Sequence, residues 1–528
     1  MNTTPDQPEK PRIGLLRASS TVGSMTLISR ISGFIRDIVV ARVFGVDAAT
    51  DAFFVAFRIP NFFRRLSAEG SFSQAFIPVL SEYRQHRDTA ALRDLVSHVT
   101  GVFGGILLVF TTACITAAPL MIMLFAPGFN ESEQFDLASR MLRITFPYLF
   151  FISLVALAGS IMNSFRHFAV PALTPVWLNL CMIACALWLG KYVDPPVMAL
   201  AWGAFIAGIV QLLFQVPFLM RMNMLPRPRW RWRHEGVQKI LHLMMPSILG
   251  SSVVQINLLI DTIIASMLTI GSVTWLYFAD RLVEFPLGIF GIAIGTVILP
   301  SLSDKHAARD NAAFSRNLDW GLRLTLLVGI PAFLGLALLS WPLMAGLFQY
   351  GKFSANDALM SSYALIAYAF GLPAFMLTRI LAPGFYARQD TKTPVYIGLV
   401  AMIAKLVMLL ISVPVLLYYE VKVAHSVLAL ATSLSAWIQT WLLFSRLHKE
   451  KAYSPAQQWG LFFLQLLAAA AAMVVLLYCI APDPGVWIVW PYWQRGLALA
   501  ALVGAGSLIY FITLGLCGIR LSHFRGHH

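Results

Sequence analysis

Apolar runs of about twenty residues recur along this chain from Ser20 to Cys517, most of them separated by loops of only a few residues. A helix of that length rises about 30 Å, the thickness of a bilayer's hydrocarbon core. The runs number roughly fourteen, and no connecting stretch is long enough to fold around a core of its own. A soluble catalytic head is therefore excluded, and the function has to reside among the helices. With 58% hydrophobic and 12% charged residues, the composition is far from that of a water-soluble domain. In hydrocarbon each backbone polar group must be satisfied within its own segment, which predicts an all-α polytopic membrane protein of about 14 transmembrane helices.

The formal net charge of +14 raises nucleic acid as a partner, and the placement of the charge argues against it. Lys10, Arg12 and Arg17 precede span one; Arg84, Arg87 and Arg93 follow span two; Arg221 to Arg233 follow span six; Lys305 and Arg309 follow span eight. Arg388, Lys392, Arg446, Lys449 and Lys451 continue the alternation, and Arg520 and Arg525 close it. The intervening loops are neutral or acidic, as at Glu131, Glu133 and Asp136 or from Gly45 to Asp51. The positive-inside rule then places both termini in the cytoplasm, which needs an even number of spans. The Met1–Pro11 segment is polar, lacks a signal-peptide cleavage pattern and reads as a disordered tail. The five cysteines lie in or at the ends of apolar spans and read as packing residues rather than metal or redox sites.

The chain repeats itself. Pro119, Leu120, Met121, Leu124, Phe125 and Gly128 match Pro342, Leu343, Met344, Leu347, Phe348 and Gly351 at a constant offset of 223, which Arg58 and Arg281 share. Thr174-Pro175-Val176 returns as Thr393-Pro394-Val395. Six spans per copy bring the chain back to its starting side, so the copies are two parallel six-helix repeats, an arrangement suited to rocking around a central cavity. The expected division is a cytoplasmic tail (1–19), an N-lobe of spans one to six (20–221), a basic linker at the headgroups (222–235), a C-lobe of spans seven to twelve (236–447), two unrepeated spans (448–519) and a second cytoplasmic tail (520–528). Arg and Trp alternate from Arg227 to Arg233 because the guanidinium suits lipid phosphate and the indole suits the interface.

Charges inside the spans point to the site. Span one carries Arg30, Arg36, Asp37 and Arg42, and a charge at helix centre costs about 2.5 to 3.5 kcal/mol on insertion scales. Arg30 and Asp37 share a face; Arg36 lies about 120° away, so both arginines reach one cavity only if it is broad or if the helix unwinds at Ser32-Gly33. Span two holds Asp51, Arg58, Pro60, Asn61, Arg64, Arg65 and Glu69. The matching helix of the second copy holds Asp280, Arg281 and Glu284, where Arg281 and Glu284 also fit a local i,i+3 pair, followed by Gly288, Gly291 and Gly295 on one face. Arginine exceeds carboxylate in this set, which argues for an anionic cargo: the planar fork gives phosphate two parallel hydrogen bonds and keeps its charge. Asp261 in span seven and Lys405 in span eleven lie deep in apolar runs; they fit either an ion pair or two unrelated polar contacts. The residues form no metal, nucleotide-binding or nucleophile motif, so an enzyme is not expected and no cofactor or metal is implied.

Four strings resemble the MurJ (MviN) lipid II flippases of the MOP exporter superfamily, and the likeness spans nearly the whole chain. They are Ser29-Arg30-Ile31-Ser32-Gly33-Phe34-Ile35-Arg36-Asp37, the stretch from Thr50-Asp51 through Pro60-Asn61-Phe62-Phe63-Arg64-Arg65 to Glu69-Gly70, Ala279-Asp280-Arg281-Leu282-Val283-Glu284-Phe285-Pro286, and Ala382-Pro383-Gly384-Phe385-Tyr386 with Lys392-Thr393-Pro394. The resemblance implies an inner-membrane transporter that moves the undecaprenyl-pyrophosphate-linked peptidoglycan precursor to the periplasmic leaflet by alternating access. It implies that Arg30, Arg36, Arg64 and Arg281 engage the headgroup, that Asp37, Asp51, Asn61 and Glu284 support or gate it, and that spans thirteen and fourteen form a groove for the lipid tail. Membrane lipids and the cell-wall synthesis machinery are the other partners expected. Some members of the family bind sodium through an acidic residue on span seven and polar residues on span eleven; Asp261 matches the former, but Lys405 and Met408 depart from the latter, which argues against a sodium site, and the expected energy source is membrane potential acting on the cavity arginines or, as the alternative, an ion gradient. Two rival readings remain open: an exporter of another polyprenyl-linked glycan or small molecule, and a scaffold for cell-wall enzymes.

Overall fold

A computed structural model describes the backbone of residues 13–129, 132–455 and 458–519, and the side chains of these except 13–22, 67–70, 247, 249–254 and 289–297. Residues 1–12 of the first tail, the whole of the second, Glu131 and the side chains of Arg17 and Glu69 lie outside the described residues, as do the surroundings of Gly291 and Gly295. Every regular element described is helical. The helices are α1 (Ile13–Phe44), α2 (Ala48–Arg64), α3 (Ser73–His86), α4 (Thr89–Thr116), α5 (Ala118–Phe125), α6 (Glu133–Thr145), α7 (Pro147–Ser164), α8 (Ala169–Leu173), α9 (Pro175–Leu187) and α10 (Met198–Arg221). They continue as α11 (Glu235–Ser266), α12 (Ser272–Ala307), α13 (Asn311–Leu338), α14 (Ser340–Leu347), α15 (Ala355–Tyr386) and α16 (Lys392–Tyr418), then α17 (Ala424–Lys449), α18 (Trp459–Ile480), α19 (Pro484–Val489) and α20 (Tyr492–Leu516).

Ten helices among the described residues are long and apolar enough to cross a membrane. The other four expected spans fall on α1, on α2 with α3, on α11 and on α12. Helix α1 begins at Ile13, seven residues before the expected start, and runs unbroken through Ser32-Gly33. Span two is interrupted: α2 passes into a π-helical segment, Arg65–Phe72, before α3 resumes.

Two compact units divide the chain. The first comprises Met1–Val40, Val55–Phe125 and Glu131–Gln255; the second comprises Ala41–Phe54, Ala126–Asn130 and Ile256–His528. In the first, α10 packs on α7 and α9, while α3 and α4 pack on α7 around a core that includes Phe72, Phe76, Phe103 and Ile161. The Phe72 ring stacks on Phe103 with centroids 4.4 Å apart. In the second, α15 is the hub, buried against α12, α13 and α17. Helices α18 and α20 pack on one another, α18 leaning on α13 and α20 on α14.

The repeat is visible in the helices themselves. Helices α4 and α13 are both 28 residues long, and each opens on an aspartate, Asp88 or Asp310, whose carboxylate accepts the N–H of the third residue on at 2.8 Å. Helices α5 and α14 follow, each eight residues long. An N-cap carboxylate satisfies an orphan N–H and lies at the positive end of the helix dipole, so the same device starts the same helix twice.

Candidate functional site

In the first unit the Arg36 and Asp37 side chains of α1 meet Asn179 of α9. Arg36 and Asp37 are both buried. The Arg36 guanidinium donates to Asp37 Oδ1 from Nε at 3.0 Å and from Nη2 at 2.6 Å, and from Nη1 to Asn179 Oδ1 at 3.2 Å. Asn179 on α9 then donates to Ser32 Oγ at 2.8 Å and Ser29 O at 3.3 Å. The expected unwinding at Ser32-Gly33 does not occur. The helix stays intact because the long Arg36 side chain folds back on its neighbour, and Asn179 supplies the third contact. Arg30 is half-buried nearly two turns before Arg36 and pairs with no described residue.

Span two is shaped by Pro60. Proline has no N–H, so the Ala56 carbonyl one turn earlier loses its helical partner. The Thr145 hydroxyl of α6 donates to that carbonyl at 3.1 Å. Beyond the proline, Asn61 donates to Phe57 O at 2.9 Å, and Arg64 Nε donates to Asn61 Oδ1 at 3.0 Å. Arg64 is thus braced by the residue one turn before it. Arg65 opens the π-helical segment and is exposed.

Asp51 belongs to the second unit. Its carboxylate accepts from Gly271 N at 2.6 Å, Thr274 N at 2.9 Å and Thr274 Oγ1 at 2.6 Å, so the start of α2 caps the start of α12. Gly271 stands at φ +97°, where a Cβ would strain the backbone and meet the Trp275 ring. Close by, Phe54 stacks on Tyr277 with ring centroids 4.1 Å apart. Further along α12, Arg281 Nη1 donates to Glu284 Oε2 at 3.2 Å, the local i,i+3 pair.

The structure brings Asp261 and Lys405 together. The ammonium, with no exposed surface, lies 2.6 Å from Asp261 Oδ1, an ion pair too bent for a directed hydrogen bond, and donates to Asn257 Oδ1 at 3.1 Å. Asn257 and Asp261 stand one turn apart on α11, so a single ammonium reaches both. Sequence reading passed over Asn257, Asn179 and Thr274. The signal for the first two was a lone amide inside an apolar run, itself a polar group that hydrocarbon penalises.

In the unrepeated pair, Arg495 of α20 is buried. It donates to the carbonyls of Ala345, Gln349, Ile488 and Trp490 and stands over the Tyr350 ring at 5.2 Å. Those contacts pin α20 to α14. The outer faces of the two helices stay apolar and exposed, as at Leu464, Leu467, Leu497 and Leu508.

A family model described as lipid II flippase MurJ matches residues 40–495. A probable lipid II flippase MurJ from Vibrio cholerae is 44% identical over 97% of this chain and 98% of its own length. The lipid II flippase MurJ of Burkholderia cenocepacia is 40% identical over 97% and 99%. Among solved structures, a lipid II flippase MurJ in an inward closed conformation superposes with a TM-score of 0.77 at 27% identity, covering 94% of this chain and 98% of that one. An inward-facing multidrug transporter of the MATE family shares the fold alone, with a TM-score of 0.67 at 14% identity over 82% of this chain and 99% of its own. This chain belongs to the MurJ lipid II flippase family.

Proposed function

We propose that the chain translocates lipid II from the cytoplasmic to the periplasmic leaflet by alternating access. It is a multi-pass inner-membrane protein, and the reading adds that both termini are cytoplasmic. The observation that carries the proposal is the Arg36–Asp37–Asn179 group, a guanidinium held in a fixed orientation among membrane helices. An arginine at such depth is costly unless paired, and a transporter of a pyrophosphate-bearing headgroup gives the cost a purpose. In this reading Asp37 and Asn179 hold Arg36 in place, Arg30 supplies a second cation nearly two turns away, and Asn61 braces Arg64 for the same headgroup. Arg281, with Glu284, serves from the second unit.

Asp51 acts as a gating residue in the same proposal: its three hydrogen bonds tie the beginning of α2 to the beginning of α12, and they must break if those ends separate. Energy comes from the membrane potential. The acidic position that could hold sodium is already filled by the Lys405 ammonium. The chain needs no cofactor, performs no catalysis and takes lipid II as its cargo. The test is a leaflet-specific assay of lipid II in cells depleted of their own flippase and supplied with variants in which Arg30, Arg36, Arg64 or Arg281 is replaced by Ala. Each is expected to leave lipid II in the cytoplasmic leaflet; normal exposure in all four would overturn the proposal.

A further inference from the structure

A groove of about 450 Å³ opens between the beginning of α16 and the end of α17, and its polarity is layered. At its outer end stand three cations, Lys392 from α16 and Arg446 with Lys449 from α17. The hydroxyls of Thr393 and Ser445 come next, then the rings of Tyr396 and Trp441, 68% and 65% exposed. Ile397 and Leu442 form its apolar floor. From Tyr396 an exposed stripe continues along α16 through Leu399, Ile403, Val407 and Leu410, spaced three or four residues apart and so on one face.

Two acids border the groove, and one of them pairs with Arg446 while both lysines stay unpaired among the described residues. Glu450 is held by Arg388 at 2.8 Å and Arg446 at 2.6 Å. Asp390 is occupied by the N–H groups of Lys392 and Thr393 at 3.1 and 3.0 Å. Neither Lys392 nor Lys449 pairs with a described residue, which leaves two ammonium groups facing one space.

We propose that this groove is a binding site for an anionic diacyl phospholipid. The phosphate lies between Lys392 and Lys449 with Arg446 behind it, the glycerol and ester oxygens lie at the Thr393 and Ser445 hydroxyls, and an acyl chain follows the stripe on α16. The order of cation, hydroxyl, aromatic ring and aliphatic surface is the order of groups along a phospholipid, and Trp and Tyr favour the headgroup level. A free phosphate would use the cations alone and leave the rings and the stripe without a ligand.

The experiment is native mass spectrometry of the full-length protein in detergent, titrated with phosphatidylglycerol or phosphatidylcholine. Phosphatidylglycerol is expected to bind preferentially. The Lys392→Gln/Lys449→Gln variant is expected to lose about thirtyfold in affinity for it, and the Lys392→Arg/Lys449→Arg variant to keep it. The lysines are exposed, and an unchanged unfolding midpoint of each variant shows that the fold is intact. Equal binding of the two lipids, or full retention by the Gln variant, overturns the proposal. So does displacement of phosphatidylglycerol by equimolar undecaprenyl phosphate, which would assign the groove to the carrier lipid, or by millimolar inorganic phosphate, which would make it a simple anion site.

Discussion

Asp37 is 1% exposed, and two hydrogen bonds from the Arg36 guanidinium end on its Oδ1 atom. Removing one partner of a buried pair strands the other, at a cost of about 3 to 5 kcal/mol. Asp37→Ala is therefore expected to lower stability by about that amount in reversible unfolding in mixed micelles, whereas Asp37→Asn, which keeps an oxygen acceptor for the guanidinium, costs less. Equal losses would mean that the pair is not coupled as described. The same reasoning applies to Lys405: Lys405→Met leaves Asp261 and Asn257 facing no cation and should reduce growth rescue more than the double Lys405→Met/Asp261→Leu variant does. Equal damage would show that the ammonium is not there for the carboxylate. These clusters were half legible. The need for partners followed from charge in hydrocarbon, but the identity of the partner did not: Asn179 lies 143 residues from Arg36, and only packing of α9 on α1 makes it the third ligand.

Among the elements, lengths and order were the most readable, because hydrocarbon thickness and helical rise fix them together. The repeated 28-residue helices with their Asp caps stand 222 residues apart, within one residue of the offset found in the sequence. The π-helical stretch was not readable, since it depends on how Pro60 and the Thr145 hydroxyl settle the turn before it. The linker between the six-span copies holds a further feature. Arg229 donates its N–H to Ser97 O at 3.1 Å, and a Cβ at Gly101 would run into the Arg229 backbone, so α4 carries a notch in which the linker lies. His98 and His234 stack there with centroids 4.9 Å apart, both near Asp94, whose carboxylate also meets Arg229 at 3.5 Å. Gly236 N–H donates to His234 Nδ1 at 3.2 Å, so a proton on that nitrogen would break the bond.

Burial, reinforced by the His98 ring, holds the His234 imidazole below its ordinary value of 6.5, with Asp94 and Glu235 pulling the other way and Arg231 adding to the depression. A depressed histidine is neutral when docked, and the undocked form takes up the proton first. Docking is thus at full strength above about pH 6.5 and weakens as the pH falls through the depressed value. Hydrogen exchange of the Arg229 amide, corrected for intrinsic rate, should show less protection at pH 5.5 than at pH 7.5, and His234→Gln should remove the difference. Identical protection at both pH values in the unaltered protein would count against the latch.

For the whole molecule the question is what drives a cycle of this kind. Hard cations such as sodium need several oxygen ligands around an open position. In the second unit Asp261 Oδ1 and Asn257 Oδ1, one turn apart on α11, both face the Lys405 ammonium, which is wholly buried. If that ammonium stays in place through the cycle, a sodium gradient has no site among these oxygens to act on, and the proposal therefore takes the membrane potential as the driving force. Membrane potential needs no binding site: it works on any charge that moves across the bilayer, about 2.3 kcal/mol per elementary charge per 100 mV. The arginines of α1 and α2 and the pyrophosphate of the cargo carry such charge. Replacing sodium by choline in spheroplasts that depend on this protein should leave the rate of lipid II exposure unchanged. Collapsing the potential with valinomycin and matched potassium should lower it at least tenfold, with lipid II accumulating in the cytoplasmic leaflet. Loss of exposure on sodium removal with the potential intact would mean that the Lys405 ammonium leaves Asp261 during the cycle and that the energy source has been misassigned.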